Sequence, residues 1–287
     1  MLEHRQAAPR PPQRVVVLGG NGFLGSRLVA RLRDAGVETL ALGTADLDLT
    51  AADAAARLSA LLREGDSVAM LAALTPDRGR DAATLVRNVA MAETLCRAAA
   101  VVPPAHLVYL SSDAVYPFGE ALVDETSCAA AADMYGAMHR ARELMLQASI
   151  AAPVAVLRAT LLYGAGDPHN SYGPNRFRRM AAEQGRITLF GAGEETRDHV
   201  HVADAAALVA RVLHHRSAGL LNLASGVSVS FDAAARAVAA TVDPPVPVVH
   251  TPRQAPVTHR HFDTAALLKA FPGCRFAGLA EGLARPD

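Results

Sequence analysis

The chain carries no surplus of charge of either sign: 28 basic residues stand against 28 acidic ones, for a formal net charge of +0. Such a surface offers no electrostatic footprint for nucleic acid or an anionic membrane, so the expected partner is a small molecule. Cysteine is scarce. Cys96, Cys128 and Cys274 are widely spaced and form no Cys-x-x-Cys or Cys/His pattern, which argues against a disulfide scaffold and a metal site, and fits a reducing cytosol. Alanine-rich runs such as Ala51 to Ala60 are broken by Asp53, Arg57 and Ser59, and no stretch of about 18 apolar residues exists to span a bilayer. No repeat of solenoid period is found. Met1 to Gln13 holds His4, Arg5, Arg10, Pro9, Pro11 and Pro12 but no apolar segment of the kind a signal peptide needs. Residues 1–13 are therefore expected to be a disordered tail on a soluble, cytoplasmic protein.

What the chain does have is an alternation of apolar strands and alanine-rich helices. At 287 residues it is long enough for one main domain with a smaller appendage. Val15-Val16-Val17-Leu18 has the β-branched, unbroken apolar character of a buried parallel strand. Gly19-Gly20-Asn21-Gly22-Phe23-Leu24-Gly25 follows at once, and Ser26 to Ala35 reads as a helix. Gly19, Gly22 and Gly25 form Gly-x-x-Gly-x-x-Gly, in which the turn must be tight, the backbone must approach a pyrophosphate and the helix must pack on the strand. With a strand before and a helix after, this pattern predicts a dinucleotide site lined by Gly19, Gly22, Phe23, Leu24 and Gly25. A second strand over Glu38 to Leu42 ends at Gly43-Thr44, where an acidic residue would hold an adenosine ribose. Neither is acidic, Asp46 lies slightly late, and no arginine is near in sequence to hold a 2′-phosphate, so NAD and NADP both stay open. Asp48 and Leu49 are read either as the adenine edge or, with Thr50 and Asp53, as a helix start.

Ser67 to Ala73 is the next buried strand, ending in Ala72 and Ala73, where a cofactor could lie against the backbone. A long helix from Ala82 to Ala100 carries Asn88, a further candidate cofactor contact. The strand His106 to Leu110 runs into Ser111-Ser112-Asp113-Ala114-Val115-Tyr116, placing polar groups at the carboxyl edge of a parallel sheet, where such folds bind ligands. Tyr135-Gly-Ala-Met-His139 then puts two polar side chains four residues apart on one helix face. The expected architecture is α/β, a Rossmann-type doubly wound parallel sheet over residues 14–165. Residues 166–287 form a mixed substrate-binding region in which a late strand, Leu220 to Ala224, and a helix return to the core. Within that region Asp167 to Pro174 reads as loop, Arg176, Arg178 and Arg179 as a solvated helix face, and Phe262-Asp263-Thr264 as the start of a final helical segment.

Taken together these residues resemble the extended short-chain dehydrogenase/reductase family, and more narrowly its NAD(P)-dependent epimerases, dehydratases and 4-ketoreductases of nucleotide-linked sugars. Leu-Ser-Ser-Asp-Ala-Val-Tyr from Leu110, Leu-Arg-Ala-Thr-Leu-Leu-Tyr-Gly from Leu157, and the segment from Phe190 to Asp204 containing Arg197-Asp-His-Val-His carry the likeness beside the glycine turn. By resemblance, Ser112 hydrogen-bonds the reacting oxygen and Tyr135 is the general acid/base. Asp113 stands where dehydratases carry an acid, and Arg197 meets a nucleotide diphosphate. The resemblance implies NAD or NADP as cofactor and a nucleotide-sugar substrate, and it is compatible with a homodimer.

Three positions depart from the family pattern. Tyr-x-x-x-Lys has become Tyr135-x-x-x-His139, and a phenol of ordinary pKa near ~10 needs a neighbouring cation to exchange protons at neutral pH. Imidazole could still clamp the nicotinamide ribose, which keeps His139 among both the catalytic and the cofactor residues. The glutamate that follows the acid in dehydratases is Ala114, which ranks dehydration below epimerisation and ketoreduction. Leu161 replaces a residue often polar. The exchanged lysine also motivates two rival expectations: a ketoreductase of another small molecule, such as a polyketide or aromatic product, and a dinucleotide-binding sensor without turnover.

Overall fold

In the computed structural model, residues 1–119, 122–170, 172–253 and 255–285 are described. Of the expected loop from Asp167 to Pro174, Ser171 lies outside the described residues. In chain order the strands are β1 (Arg14–Leu18), β2 (Glu38–Leu42), β3 (Ser67–Met70), β4 (His106–Ser112), β5 (Val154–Ala159), β6 (Leu161–Tyr163), β7 (Ile187–Phe190), β8 (Thr196–His201), β9 (Gly219–Leu223), β10 (Ser228–Ser230) and β11 (Val248–Thr251). The helices are α1 (Phe23–Asp34), α2 (Ala54–Leu61), α3 (Ala82–Val101), α4 (Met134–Ser149), α5 (Pro174–Gln184), α6 (Val202–His214), α7 (Phe231–Ala239), α8 (Ala265–Ala270) and α9 (Leu279–Leu283).

Six strands form one parallel sheet in the order β2-β1-β3-β4-β5-β9, with the order reversing between β1 and β3. This is a Rossmann-like doubly wound arrangement, and its crevice opens where strand order reverses. Successive residues of β1 explain why both faces must be covered. Val15 and Val17 pack with Leu28, Leu32, Val209 and Leu213 of α1 and α6, while Val16 and Leu18 pack with Leu58, Leu95 and Leu146 of α2, α3 and α4. A separate apolar cluster of Phe177, Leu189, Phe231 and Val238 joins α5, α7 and β7 in the C-terminal part of the chain. That part also contributes a three-stranded sheet, β10-β8-β6, and a two-stranded one, β11-β7. Among the described residues no helix is long and apolar enough to cross a membrane.

Two expectations fail here for tertiary reasons. Residues 1–13 are not loose: Leu2 is buried in the main core, Glu3 exchanges two backbone hydrogen bonds of 2.8 Å with Ala218, and the His4 ring stacks on His215 at 4.2 Å. One apolar side chain and two polar anchors hold a segment that composition alone marks as a tail. Nor do Arg176, Arg178 and Arg179 form a solvated face. Arg178 donates to the Leu283 carbonyl at 2.8 Å, Arg179 to the Asp167 carbonyl, and Arg176 lies over the Tyr172 ring.

Candidate active site

The glycine turn is shaped by steric exclusion. Gly19 has φ +88, and a Cβ there would stand 2.8 Å from the Ala72 nitrogen. A Cβ on Gly25 would collide with the Gly19 carbonyl. The first turn of α1 therefore tucks beneath the end of β1, leaving its early N–H groups directed toward the sheet's carboxyl edge. Gly22 and Phe23 open that helix. The Leu24 side chain is buried in the core, so only its backbone is left to face the turn.

Gly19, Leu42, Gly43, Thr44, Asp48, Leu49, Ala72, Leu74 and Arg87 line a cleft at the ends of β1, β2 and β3. Its glycine-walled floor, apolar Leu49 and Met91, and polar rim fit an adenosine diphosphate moiety. Thr50 does not cap a helix, since α2 starts only at Ala54; the Asp48 carboxylate accepts from the Thr50 amide at 2.9 Å and the Thr50 hydroxyl at 2.7 Å, and these bonds hold its pKa below the usual carboxylate value. The carboxylate of Asp46 accepts from the Gly43 amide at 2.8 Å, stabilising the turn after β2. Arg87, exposed on α3, corrects the expectation that no arginine reaches this end of the site. It is distant in sequence, and only the packing of α3 brings it to the rim.

β3 ends at Met70, so Leu71 to Ala73 leave the sheet as extended chain toward the cleft. Asn88 is buried and occupied in fixing this exit. Its Oδ1 accepts from the Leu74 amide at 2.8 Å, and its Nδ2 donates to the carbonyls of Leu74 and Thr84. It thus acts on Ala72 and Ala73 through the backbone.

A second cleft shares Leu74 with the first and is lined by Arg80, Thr84, Asn88, Asp133, Tyr135 and Met138. Ser112 closes β4 and caps the short 3₁₀ turn of Asp113–Val115, its Oγ accepting from the Ala114 amide at 3.1 Å. Gly136 lets α4 approach that turn, since a Cβ there would strike the Ala114 carbonyl. Tyr135 is consequently carried against the end of β4. Burial, together with the Tyr109 phenol and the Asp113 carboxylate, pushes the Tyr135 phenol well above its ordinary pKa. Burial raises Asp113 as well, although Arg260 and Arg197 oppose the shift.

α4 is anchored by a buried ionic cluster. Arg158 of β5 grips Glu143 through two bonds of 2.9 and 2.7 Å, Ser111 donates to the same carboxylate at 2.6 Å, and Arg140 adds a bond of 3.0 Å. Burial alone would raise the Glu143 pKa, but these donors bring it below the ordinary value. Ser111 faces this cluster while Ser112, on the opposite side of β4, faces the turn that follows it.

His139 contradicts the expected ribose clamp. It is buried between α4 and the sheet, its Nδ1 shares a 2.6 Å hydrogen bond with Tyr109 Oη, and its Nε2 has no partner among the described residues. Burial and the Arg142 guanidinium drive its pKa well below 6.5, so the imidazole is neutral and supplies no charge to Tyr135. Its ring meets Tyr135 edge-on at 4.6 Å. The site also holds residues that the sequence did not single out: Arg142, Arg260 and Phe118. Arg260 is buried, donates to the carbonyls of Asp113, Tyr116 and Pro117, and lies 4.3 Å from the Phe118 ring centroid. Arg197 lies 4.9 Å from the same centroid and donates to the Thr196 and Thr258 carbonyls and to Thr258 Oγ1. Its Nε and one Nη2 hydrogen remain uncommitted among the described residues.

Comparison with known proteins identifies the family. Residues 15–224 match the model of the NAD dependent epimerase/dehydratase family. A dTDP-4-dehydrorhamnose reductase of Mycobacterium tuberculosis (strain CDC 1551 / Oshkosh) is 32% identical over 232 residues, covering 73% of this chain and 72% of that protein. A dTDP-6-deoxy-L-talose 4-dehydrogenase (NAD(P)(+)) of Kitasatospora kifunensis is 34% identical over 179 residues, 56% of each chain. Among solved structures, MoeE5 in complex with UDP-glucose and NAD superposes with a TM-score of 0.79 at 24% identity, covering 94% of this chain and 96% of that one. A UDP-N-acetylglucosamine 4-epimerase from Methanobrevibacter ruminantium in complex with UDP-N-acetylmuramic acid gives 0.80 at 22%, covering 95% and 97%. At these identities the two structures speak to the fold.

Proposed function

The chain belongs to the NAD dependent epimerase/dehydratase family, and from that premise we propose that it reduces, or in reverse forms, a ketone on a nucleotide-linked deoxysugar. The two curated relatives act on dTDP-linked sugars by their names, and that class is the substrate we assign. The observation carrying the proposal is the convergence of Tyr135, Ser112 and Asp113 at the end of β4, with Tyr135 lining a second cleft that shares Leu74 with the glycine-floored one.

NAD or NADP, held over Gly19 and the first turn of α1, supplies or accepts hydride when bound. The chain's own work is to place the sugar carbonyl and move a proton. Ser112 Oγ holds the carbonyl oxygen by a hydrogen bond, and Tyr135 Oη delivers the proton as that oxygen becomes an alcohol. With its pKa raised, the Tyr135 phenol is protonated at neutral pH and holds the proton that the carbonyl oxygen takes up. Arg197 offers its uncommitted donors to the diphosphate of the substrate.

The test is consumption of NADH or NADPH absorbance when the purified protein meets dTDP-linked 4-keto-6-deoxyhexoses. Tyr135→Phe should cut turnover by about 10²–10⁴-fold without weakening cofactor binding. Sugar interconversion without net cofactor change would identify an epimerase. Cofactor binding with no turnover of dTDP- or UDP-linked keto-sugars would replace the proposal with the sensor reading.

A further inference from the structure

Tyr135, His139 and Arg142 lie at i, i+4 and i+7 of α4, which puts all three on one stripe of the helix. The chain contains one lysine, Lys269, exposed on α8, so no lysine serves the site. His139 is neutral. Arg142 is the remaining cation of the stripe, and its placement is unusual: the side chain is 0% exposed and makes no ion pair with a carboxylate among the described residues. The adjacent Glu143 is committed to Arg158 and Arg140. Arg142 Nη2 donates to the Ala72 carbonyl at 2.8 Å, its Cζ lies 5.1 Å from the centroid of the Tyr109 ring, and its Nε has no partner. Ala72 is part of the cofactor cleft wall, so the guanidinium lies directly behind that wall.

Burying an unpaired guanidinium is costly, and its hydrogen bonds to a carbonyl and a thioether offset only part of the loss. We infer that Arg142 supplies the positive charge that serves the Tyr135 phenol where lysine is missing. It acts through Tyr135 as a positioning residue, and the inference rests on the reading of Tyr135 as acid/base. The groups facing Tyr135 are the Tyr109 phenol of β4, the Asp113 carboxylate after β4, Asp133 at the start of α4, and Arg142. Burial and three of these groups oppose formation of tyrosinate, and Arg142 alone favours it. Burial, aided by the same guanidinium, keeps His139 neutral, so the imidazole becomes a spacer between phenol and cation rather than a second charge.

The experiment needs no substrate. The five tyrosines are replaced biosynthetically by a trifluorotyrosine, whose far more acidic phenol offsets the upward shift at Tyr135 and brings it into an accessible range, and the Tyr135 resonance is assigned by its loss in Tyr135→Phe. Arg142→Gln keeps a donor for the Ala72 carbonyl but removes the charge, Arg142→Met removes both, and Arg142→Lys keeps the charge. The four other resonances report whether each variant holds the native fold. The expected result is a Tyr135 midpoint higher by about one pH unit or more in both neutral variants, about a tenfold change in tyrosinate at a given pH, with Arg142→Lys near the wild type. An unchanged midpoint in a folded neutral variant overturns the inference. Where neither neutral variant folds, Arg142→Lys decides: a retained midpoint supports the role of charge, and a displaced one rejects it. The turnover of Tyr135→Phe tests the acid/base reading separately, so either idea can fail without the other.

Discussion

Tyr109 Oη and His139 Nδ1 lie 2.6 Å apart across the junction of β4 and α4. This bond turns the imidazole toward the sheet and leaves no room for a second cation beside Arg142. Restoring the family's lysine with His139→Lys is therefore expected to destabilise the protein by ~2 kcal/mol or more, through burial of an ammonium next to a guanidinium. Combining it with Arg142→Ala should cost less than the sum of the single changes, by ~1 kcal/mol or more. Denaturant unfolding of the four proteins in this cycle checks the sign. Additive losses would mean that the two positions do not share one electrostatic role.

Burial lowers His106 and His199 to about 4 and His139 well below 6.5. All three are neutral in the native state near pH 7, while the unfolded chain takes up protons below about pH 6.5. A depressed native pKa means that stability is complete above the unfolded value and declines as pH falls toward the native one. The melting temperature should therefore drop steadily between about pH 6.5 and 4. His106→Gln, which retains a donor for the Ser217 carbonyl now bound at 2.7 Å, should flatten this slope. A melting temperature constant from pH 7 to 4.5 would contradict the assignment of neutral buried imidazoles.

Glu143 and Arg158 form the ionic pivot that sets the angle of α4 and hence the position of Tyr135. Glu143→Gln leaves Arg158 buried without its counter-charge and is expected to cost ~3–5 kcal/mol. Adding Arg158→Met should recover a substantial part of that loss. If the double variant is no more stable than Glu143→Gln, packing rather than the orphaned charge accounts for the damage.

The parts of the molecule legible in the sequence are those governed by local rules. The strand Val15–Leu18, the glycine turn and the helix after it are encoded within about two dozen contiguous residues by apolar run and steric need. The positions of Ser112 and Tyr135 were legible through motif resemblance at a strand end and a helix start. Arg142, Arg260 and Arg87 were not, because an arginine on a helix or loop looks the same in sequence whether it points to solvent or is folded under a neighbouring element. Asn88 stands out in the sequence as a candidate contact, but its three bonds to the Leu74 and Thr84 backbone depend on how α3 packs. His139 departs from its expected role for a related reason: spacing places it on the face of Tyr135, and only the docking of α4 on β4 shows that Tyr109 occupies its ring nitrogen.

Gly19→Ala should separate cofactor binding from folding. A Cβ at φ +88 is strained by about 1–2 kcal/mol and approaches the Ala72 nitrogen at 2.8 Å, closing the floor of the cleft. NADH affinity, followed by nicotinamide fluorescence, should fall by more than about tenfold while the protein remains folded. Undiminished NADH binding would remove the dinucleotide from this cleft.

Choice between the two dinucleotides should depend on Arg87. The residues ending β2, Gly43 and Thr44, bring no carboxylate to repel a 2′-phosphate, and Asp46 and Asp48 are held by their own local donors. Arg87 reaches the same cleft from α3 as an exposed guanidinium. Its exposure limits the strength of any contact, since solvent and salt screen it, yet the 2′-phosphate is the one feature distinguishing the two cofactors electrostatically. Arg87→Ala is expected to weaken NADPH by about fivefold to tenfold and NADH by less than about twofold, with the NADPH effect fading at high salt. Titration of both cofactors at two ionic strengths checks this. Equal losses would place Arg87 against the adenine or diphosphate common to both, and the preference would then have to come from the backbone at Gly43 and Thr44.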